Sequence, residues 1–161
     1  MSASNLAWGT VPVVAAAAAG TAATGGKGTG VNSAWYRSLT KPDIQPPKQA
    51  FPIVWTSLYA DVAVAATVTQ SRLTAKRRRR FRAALAVNMA LNAGWCFTFF
   101  RARRLDLAVL SAGALALSSA DLTRRAAKAG VGPTLGMGAY AAWCGFATML
   151  SAAVRRANPR A

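Results

Sequence analysis

Five apolar stretches, at about 5–25, 51–70, 82–100, 105–123 and 134–154, alternate in this chain with short charged or proline-rich segments. Each is close to the roughly 20 residues that a helix needs to cross a bilayer. Backbone inside lipid must satisfy its own hydrogen bonds, so stretches of this length become helices. The pattern predicts an all-α, multi-pass integral membrane protein. Its single domain, 1–161, is a bundle of five transmembrane helices with a long ordered loop between the first two and a short basic tail at 155–161. The first stretch has no positive charge ahead of it, since the first basic residue is Lys27. It is therefore read as a retained helix rather than a cleaved leader.

Composition restricts the chemistry. The chain carries a formal charge of +16 but has no histidine, and its four acids are Asp43, Asp61, Asp106 and Asp121. Without histidine there is no Ser-His-Asp triad, no imidazole base and no His-ligated metal. Cys96 and Cys144 lie in apolar stretches at no metal-binding spacing and read as packing residues. No metal site and no obligatory cofactor are expected. Asp61 is an intramembrane acid, to be met by a neighbouring helix, a loop cation or a ligand. Asp106 reads as a cap or first-turn acid, and Asp121 as a partner of Arg124 or Arg125.

The basic run Lys76-Arg77-Arg78-Arg79-Arg80 lies between the second and third stretches. Flanked by membrane spans, it points to lipid headgroups and topology rather than nucleic acid. Its density places that loop in the cytoplasm, with the proline-rich loop on the other side. With that run included, Lys and Arg divide evenly between the two sides, ten on each, so only its density distinguishes them.

The first connection, about 26–50, is the long one. Gly25, Gly26, Gly28 and Gly30 make its front half a hinge, and Pro42, Pro46 and Pro47 stiffen its back half into a lid. Trp35 and Phe51 add aromatic surface. Trp8 and Trp35 also read as interfacial anchors.

Helical periodicity then sorts the faces. In the third stretch Asn88, Asn92, Trp95 and Phe99 share one side, while Ala83, Ala86, Ala90 and Gly94 share the other. Two amides facing lipid would be costly, so the first face should line a protein interior or a cavity. The small-residue face allows close approach of another helix and is a candidate dimer seam; lipid contact or packing within one subunit is the alternative. Trp55, Tyr59 and Val62 group in the second stretch. Gly136, Tyr140, Trp143, Ala147, Leu150 and Ser151 group in the fifth. These surfaces make either an ordinary aromatic core or a cavity suited to a flat, largely apolar ligand.

In these motifs the chain resembles the TspO/translocator protein family, the tryptophan-rich sensory proteins also called peripheral benzodiazepine receptors. Trp35-Tyr36, Leu39, Lys41-Pro42, Pro46-Pro47, Phe51, Val54-Trp55 and Leu58-Tyr59 carry the first part of the resemblance. Ala90-Leu91-Asn92, Trp95 and Phe99-Phe100 carry the second. Tyr140, Trp143, Phe146-Ala147-Thr148 and Asn158-Pro159 carry the third. The resemblance implies a five-helix bundle, commonly a homodimer, with the first loop over a ligand pocket. It implies tetrapyrrole ligands such as protoporphyrin IX and haem, or sterol-like molecules, bound by Trp55, Tyr59, Asn88, Asn92, Trp95, Tyr140, Trp143, Phe146 and Ala147. The expected role is that of a membrane receptor or carrier, with Arg37, Lys41 or Lys48 meeting ligand carboxylates. One alternative is a light-dependent porphyrin-degrading enzyme using Trp55 and Trp143. Another is a regulatory or scaffold protein acting through a dimer. The family's aromatics are absent at Ile44, Gln49 and Ala93, and its prolines are replaced by Cys96, Phe97 and Ala139. Near the end of the fifth helix Ser151 and Arg155 replace its Asn and Trp. These departures predict a loop with less aromatic surface and a third helix with less kink.

Overall fold

The computed structural model describes residues 2–24 and 30–159, which form helices and connecting turns without a strand among them. Helix α1 is Ala3–Thr24, α2 is a short helix Ala34–Ser38 within the first loop, and α3 is Ala50–Arg72. Helices α4, Ala75–Cys96, α5, Leu105–Ala126, and α6, Val131–Ala157, complete the bundle. The five long helices have the length and composition to cross a membrane. Gly25, Gly26 and Gly28 of the expected hinge lie outside the described residues. Gly30 has a φ of +66°, a left-handed conformation that favours glycine.

Around the bundle the order is α1, α3, α6, α5, α4 and back to α1. Short connections predict that consecutive helices pack side by side, and α4–α5 and α5–α6 do so. Helices α3 and α4 do not. Only Leu73 and Thr74 join them, yet α1 intervenes and they barely touch. Small residues let α1 enter. Gly9 lies so close to α3 that a Cβ there would collide with the Thr67 hydroxyl, and a Cβ at Gly20 would stand 3.5 Å from the Cys96 sulfur of α4. Polar contacts fix the same wedge. Arg82 of α4 donates to Gln70 of α3 at 2.7 Å and to Asn5 of α1 at 3.0 Å.

Two boundaries differ from the expectation. Helix α4 begins at Ala75, so Lys76–Arg80 form its first turns instead of a loop. Lys and Arg are good helix formers, and neither Gly nor Pro interrupts the run. Helix α6 extends to Ala157, so Arg155 and Arg156 close a helix instead of opening a tail. Their charge suits a helix C-terminus. Arg155 also pairs with Asp106 in the first turn of α5, where Asp106 is an acid of the first turn and not the cap. Asp121 pairs with both Arg124 and Arg125.

The faces of α4 divide as its period predicts. Asn88, Asn92 and Trp95 are buried, while Ala83, Ala86 and Ala90 are exposed and Gly94 is half-exposed on the outside of the bundle. After Cys96 the helix leaves α geometry for a π-helical turn, Phe97–Arg101. The change of winding falls at Phe97, one of the positions where the chain lacks a proline of the family. The wider turn brings Phe99 and Phe100 both against Tyr36, with ring centroids 6.3 and 5.9 Å away.

Candidate functional site

The start of α3 and the ends of α1, α4 and α6 surround a cavity of about 590 Å³ beneath the first loop. Trp55, Tyr59, Trp95, Trp143, Phe146 and Ala147, all expected at a binding surface, line it. Trp55 is the hub. Its ring centroid lies 6.0 Å from Trp95 and 6.4 Å from Trp143, the latter nearly perpendicular at 86°. Tyr59 lies 5.4 Å away. Such offset and edge-on geometries are favourable for aromatic pairs. Trp95 is held in turn by a 3.3 Å bond from its indole N–H to Ser151. The buried Trp143 indole nitrogen has no acceptor among the described residues, an uncommon state for a buried donor.

Asn88, Asn92 and Tyr140 stand elsewhere. They are fully buried and outside the cavity lining. They belong to a hydrogen-bonded chain that crosses four helices beneath it. Tyr59 donates to Asn92 at 2.7 Å, Asn92 to Tyr140 at 3.2 Å, and Tyr140 to Asn88 at 3.0 Å. Asn88 donates to Ser119 at 3.0 Å, and Ser119 to the Leu115 carbonyl at 2.8 Å. Each amide and hydroxyl in the chain has a partner, as low-dielectric surroundings demand. The two amides therefore set the mutual register of α3, α4, α5 and α6 below the cavity. Of the sequence-predicted polar residues, Tyr59 touches both the cavity and the chain.

The lid divides too. Phe51 lines the cavity, and its ring is 6.2 Å from Trp143. Trp35, Pro42, Pro46 and Pro47 do not line it. Trp35 packs edge-on against Phe99 at 5.9 Å. The prolines shape turns: Gln45 N–H donates to the Pro42 carbonyl, and Ala50 N–H to that of Pro47. Ser33 caps α2 by accepting from the Tyr36 N–H at 3.0 Å. The Lys41 ammonium donates to the carbonyls of Tyr36 and Leu39 at 2.8 Å and lies 5.0 Å over the Tyr36 ring. It is therefore committed to the loop. Arg37 likewise donates to the Asn32 carbonyl. Lys48 is the cation of the three that lines the cavity. Burial raises the Tyr36 pKa against the smaller opposing effect of Gln45, so the hydroxyl stays neutral.

Asn158, beyond the end of α6, latches this loop. It accepts from the Thr40 N–H at 2.9 Å and donates to the Thr40 carbonyl at 2.8 Å. Helix α1 supplies Ala17, Gly20, Thr21 and Thr24 to the wall, and the π-helical region supplies Phe99 and Phe100. Periodicity places Phe99 on the buried face but carries no signal for the α1 residues, which come from a stretch without an amphipathic pattern. Asp61 packs against Gly136 of α6 and has no hydrogen-bond or ionic partner among the described residues; a Cβ at Gly136 would stand 2.9 Å from its Oδ1.

Residues 10–156 match the model of the TspO/MBR family. The chain belongs to the TspO/MBR family. Together with the five apolar helices, this membership makes it a multi-pass integral membrane protein. The chain is 29% identical over 128 residues to the uncharacterized membrane protein YtaB of Bacillus subtilis strain 168, covering 80% of this chain and 83% of YtaB. It is 35% identical over 75 residues to the tryptophan-rich sensory protein of Cereibacter sphaeroides, with 47% of this chain and 46% of that protein covered. It is 37% identical over 73 residues to protein CrtK of Rhodobacter capsulatus, with 45% and 46% covered. The latter two alignments each span less than half of the relative.

Proposed function

We propose that this TspO/MBR protein is a membrane receptor or carrier that takes a flat, largely apolar ligand, a tetrapyrrole such as protoporphyrin IX or a sterol-like molecule, into the cavity under its first loop. The observation that carries the reading is the convergence of Trp55, Trp95 and Trp143 on one cavity that is also lined by Lys48. The volume lies within the roughly 300–1,000 Å³ usual for small-molecule pockets. Ring faces suit a macrocycle, and Lys48 suits a carboxylate. Titration with protoporphyrin IX should quench tryptophan fluorescence saturably, and Trp143→Phe should weaken binding about threefold to tenfold. Equal quenching in the variant and in an unrelated detergent-solubilised membrane protein would end the pocket assignment.

The adjacency of Trp55 and Trp143 in the same wall supports a second reading, light-dependent porphyrin breakdown. An illuminated sample would then bleach bound porphyrin faster than detergent alone, and Trp55→Phe would slow it. A homodimer through Ala83, Ala86, Ala90 and Gly94 is supported by their position on the outer surface. Ala90→Trp should convert such a dimer to monomer in cross-linking or mass measurements.

A further inference from the structure

At the opposite end from the cavity, a groove of about 790 Å³ runs between α4 and α5. Five basic side chains and one acid line its charged part: Arg77 and Arg80 from α4, Arg124 and Arg125 with Asp121 from α5, and Lys128 from the turn that follows α5. Asp121 is neutralised by Arg124 and Arg125. Arg77, Arg80 and Lys128 meet no hydrogen-bond or ionic partner among the described residues. Deeper along the helices the α4 side of the lining turns apolar, with Ala83, Ala84 and Val87, and α5 adds Ser118.

The local electrostatics are unfavourable without an added anion. Helix α4 has no acid in its first turn, yet that positive dipole end carries Lys76–Arg80. Both the dipole and the i,i+3 and i,i+4 repulsions oppose this arrangement. A second copy of the chain placed against the groove would add like charge. A headgroup bearing phosphate would relieve it, and an attached acyl chain matches the apolar continuation.

We propose that the α4–α5 groove is a binding site for one anionic phospholipid, its phosphate held by Arg77, Arg80 and Lys128 and its acyl chain lying along Ala84 and Val87. Basic pockets between helices at a membrane surface suit such headgroups. The site is separate from the aromatic cavity and does not depend on what that cavity binds.

The test compares two variants of equal charge in the full-length, detergent-solubilised protein. Arg77→Gln/Arg80→Gln removes two groove cations, whereas Lys76→Gln/Arg79→Gln removes two cations of the same run that do not line the groove. Each is titrated with phosphatidylglycerol and with phosphatidylcholine, with native mass spectrometry counting bound lipid and thermal unfolding reading its effect. The groove variant should lose about tenfold or more of the preference for phosphatidylglycerol, and the control variant less than about threefold. Equal losses would mean diffuse attraction and overturn the site. Displacement of the lipid by millimolar inorganic phosphate would assign the groove to a soluble anion and overturn the lipid reading. A change in oligomeric state with unchanged lipid binding would assign it to a second copy instead. A Lys128→Gln variant supplies an independent check, because it alters the turn after α5 and leaves α4 intact; it should lose part of the same preference.

Discussion

The two ends of the bundle use the same helices in opposite ways. At the lid end, α1, α3, α4 and α6 part around a cavity, and aromatic rings line the space between them. At the basic end they close. Phe81, Leu85, Leu122 and Met137 are fully buried there, and the charges stand outside the filled core. Between the ends runs the polar chain from Tyr59 to Ser119. The contrast teaches that a small membrane bundle can be hollow at one end when the other end is well packed and a polar layer holds the register between them. Apolar burial alone would not do so, because lipid is as apolar as the core.

The largest break in this comparison should come from the layer itself. Asn92→Leu leaves the Tyr59 and Tyr140 hydroxyls without one partner each, which costs about 2–4 kcal/mol. Thermal unfolding should move down sharply, and ligand binding should weaken although Asn92 does not line the cavity. Unchanged binding in a destabilised variant would show that the two ends are independent of the layer. Gly9→Ala comes next. Its added methyl meets the Thr67 side chain and stands 3.0 Å from the Ala63 carbonyl, so overpacking should cost about 1–3 kcal/mol. The loss should appear in unfolding, with porphyrin affinity changed far less.

Asn158→Ala should act at the lid end alone. Loss of its two loop bonds, about 1 kcal/mol each, should speed hydrogen exchange at Thr40 and ligand release, with unfolding little affected. Arg155→Ala should be the smallest. The Asp106 carboxylate is 72% exposed, and an ion pair so open to solvent contributes at most about 0.5 kcal/mol. A larger drop would show that this pair helps to close the cavity.

The spans and the two faces of α4 were legible because apolar length and a 3.6-residue period are local properties of the chain. So was the grouping of Trp55, Trp95 and Trp143. Depth was not. The period puts Asn92 and Trp95 on one side of α4, but whether each meets the cavity or the layer beneath depends on α1 and α6. The share of α1 in the wall was hidden because alanine, glycine and threonine leave no pattern, although their smallness is what admits the helix. The helical state of Lys76–Arg80 was masked by charge that reads as a loop. The latch on Thr40 joins residues 118 positions apart. Asn158-Pro159 could be matched to a family motif, but local sequence does not show what Asn158 touches.

That latch also orders assembly. Thr40 belongs to the first loop, while its partner lies just beyond α6. During synthesis the early helices are made and can pack first. The roof cannot fasten until the fifth span is in place, and two further walls of the cavity, Trp143 and Phe146, arrive with that same span. A nascent chain carrying only the first four spans would expose Trp55 and Trp95 to lipid or to any passing apolar molecule. The wall of the cavity is therefore completed only when the last helix joins the bundle.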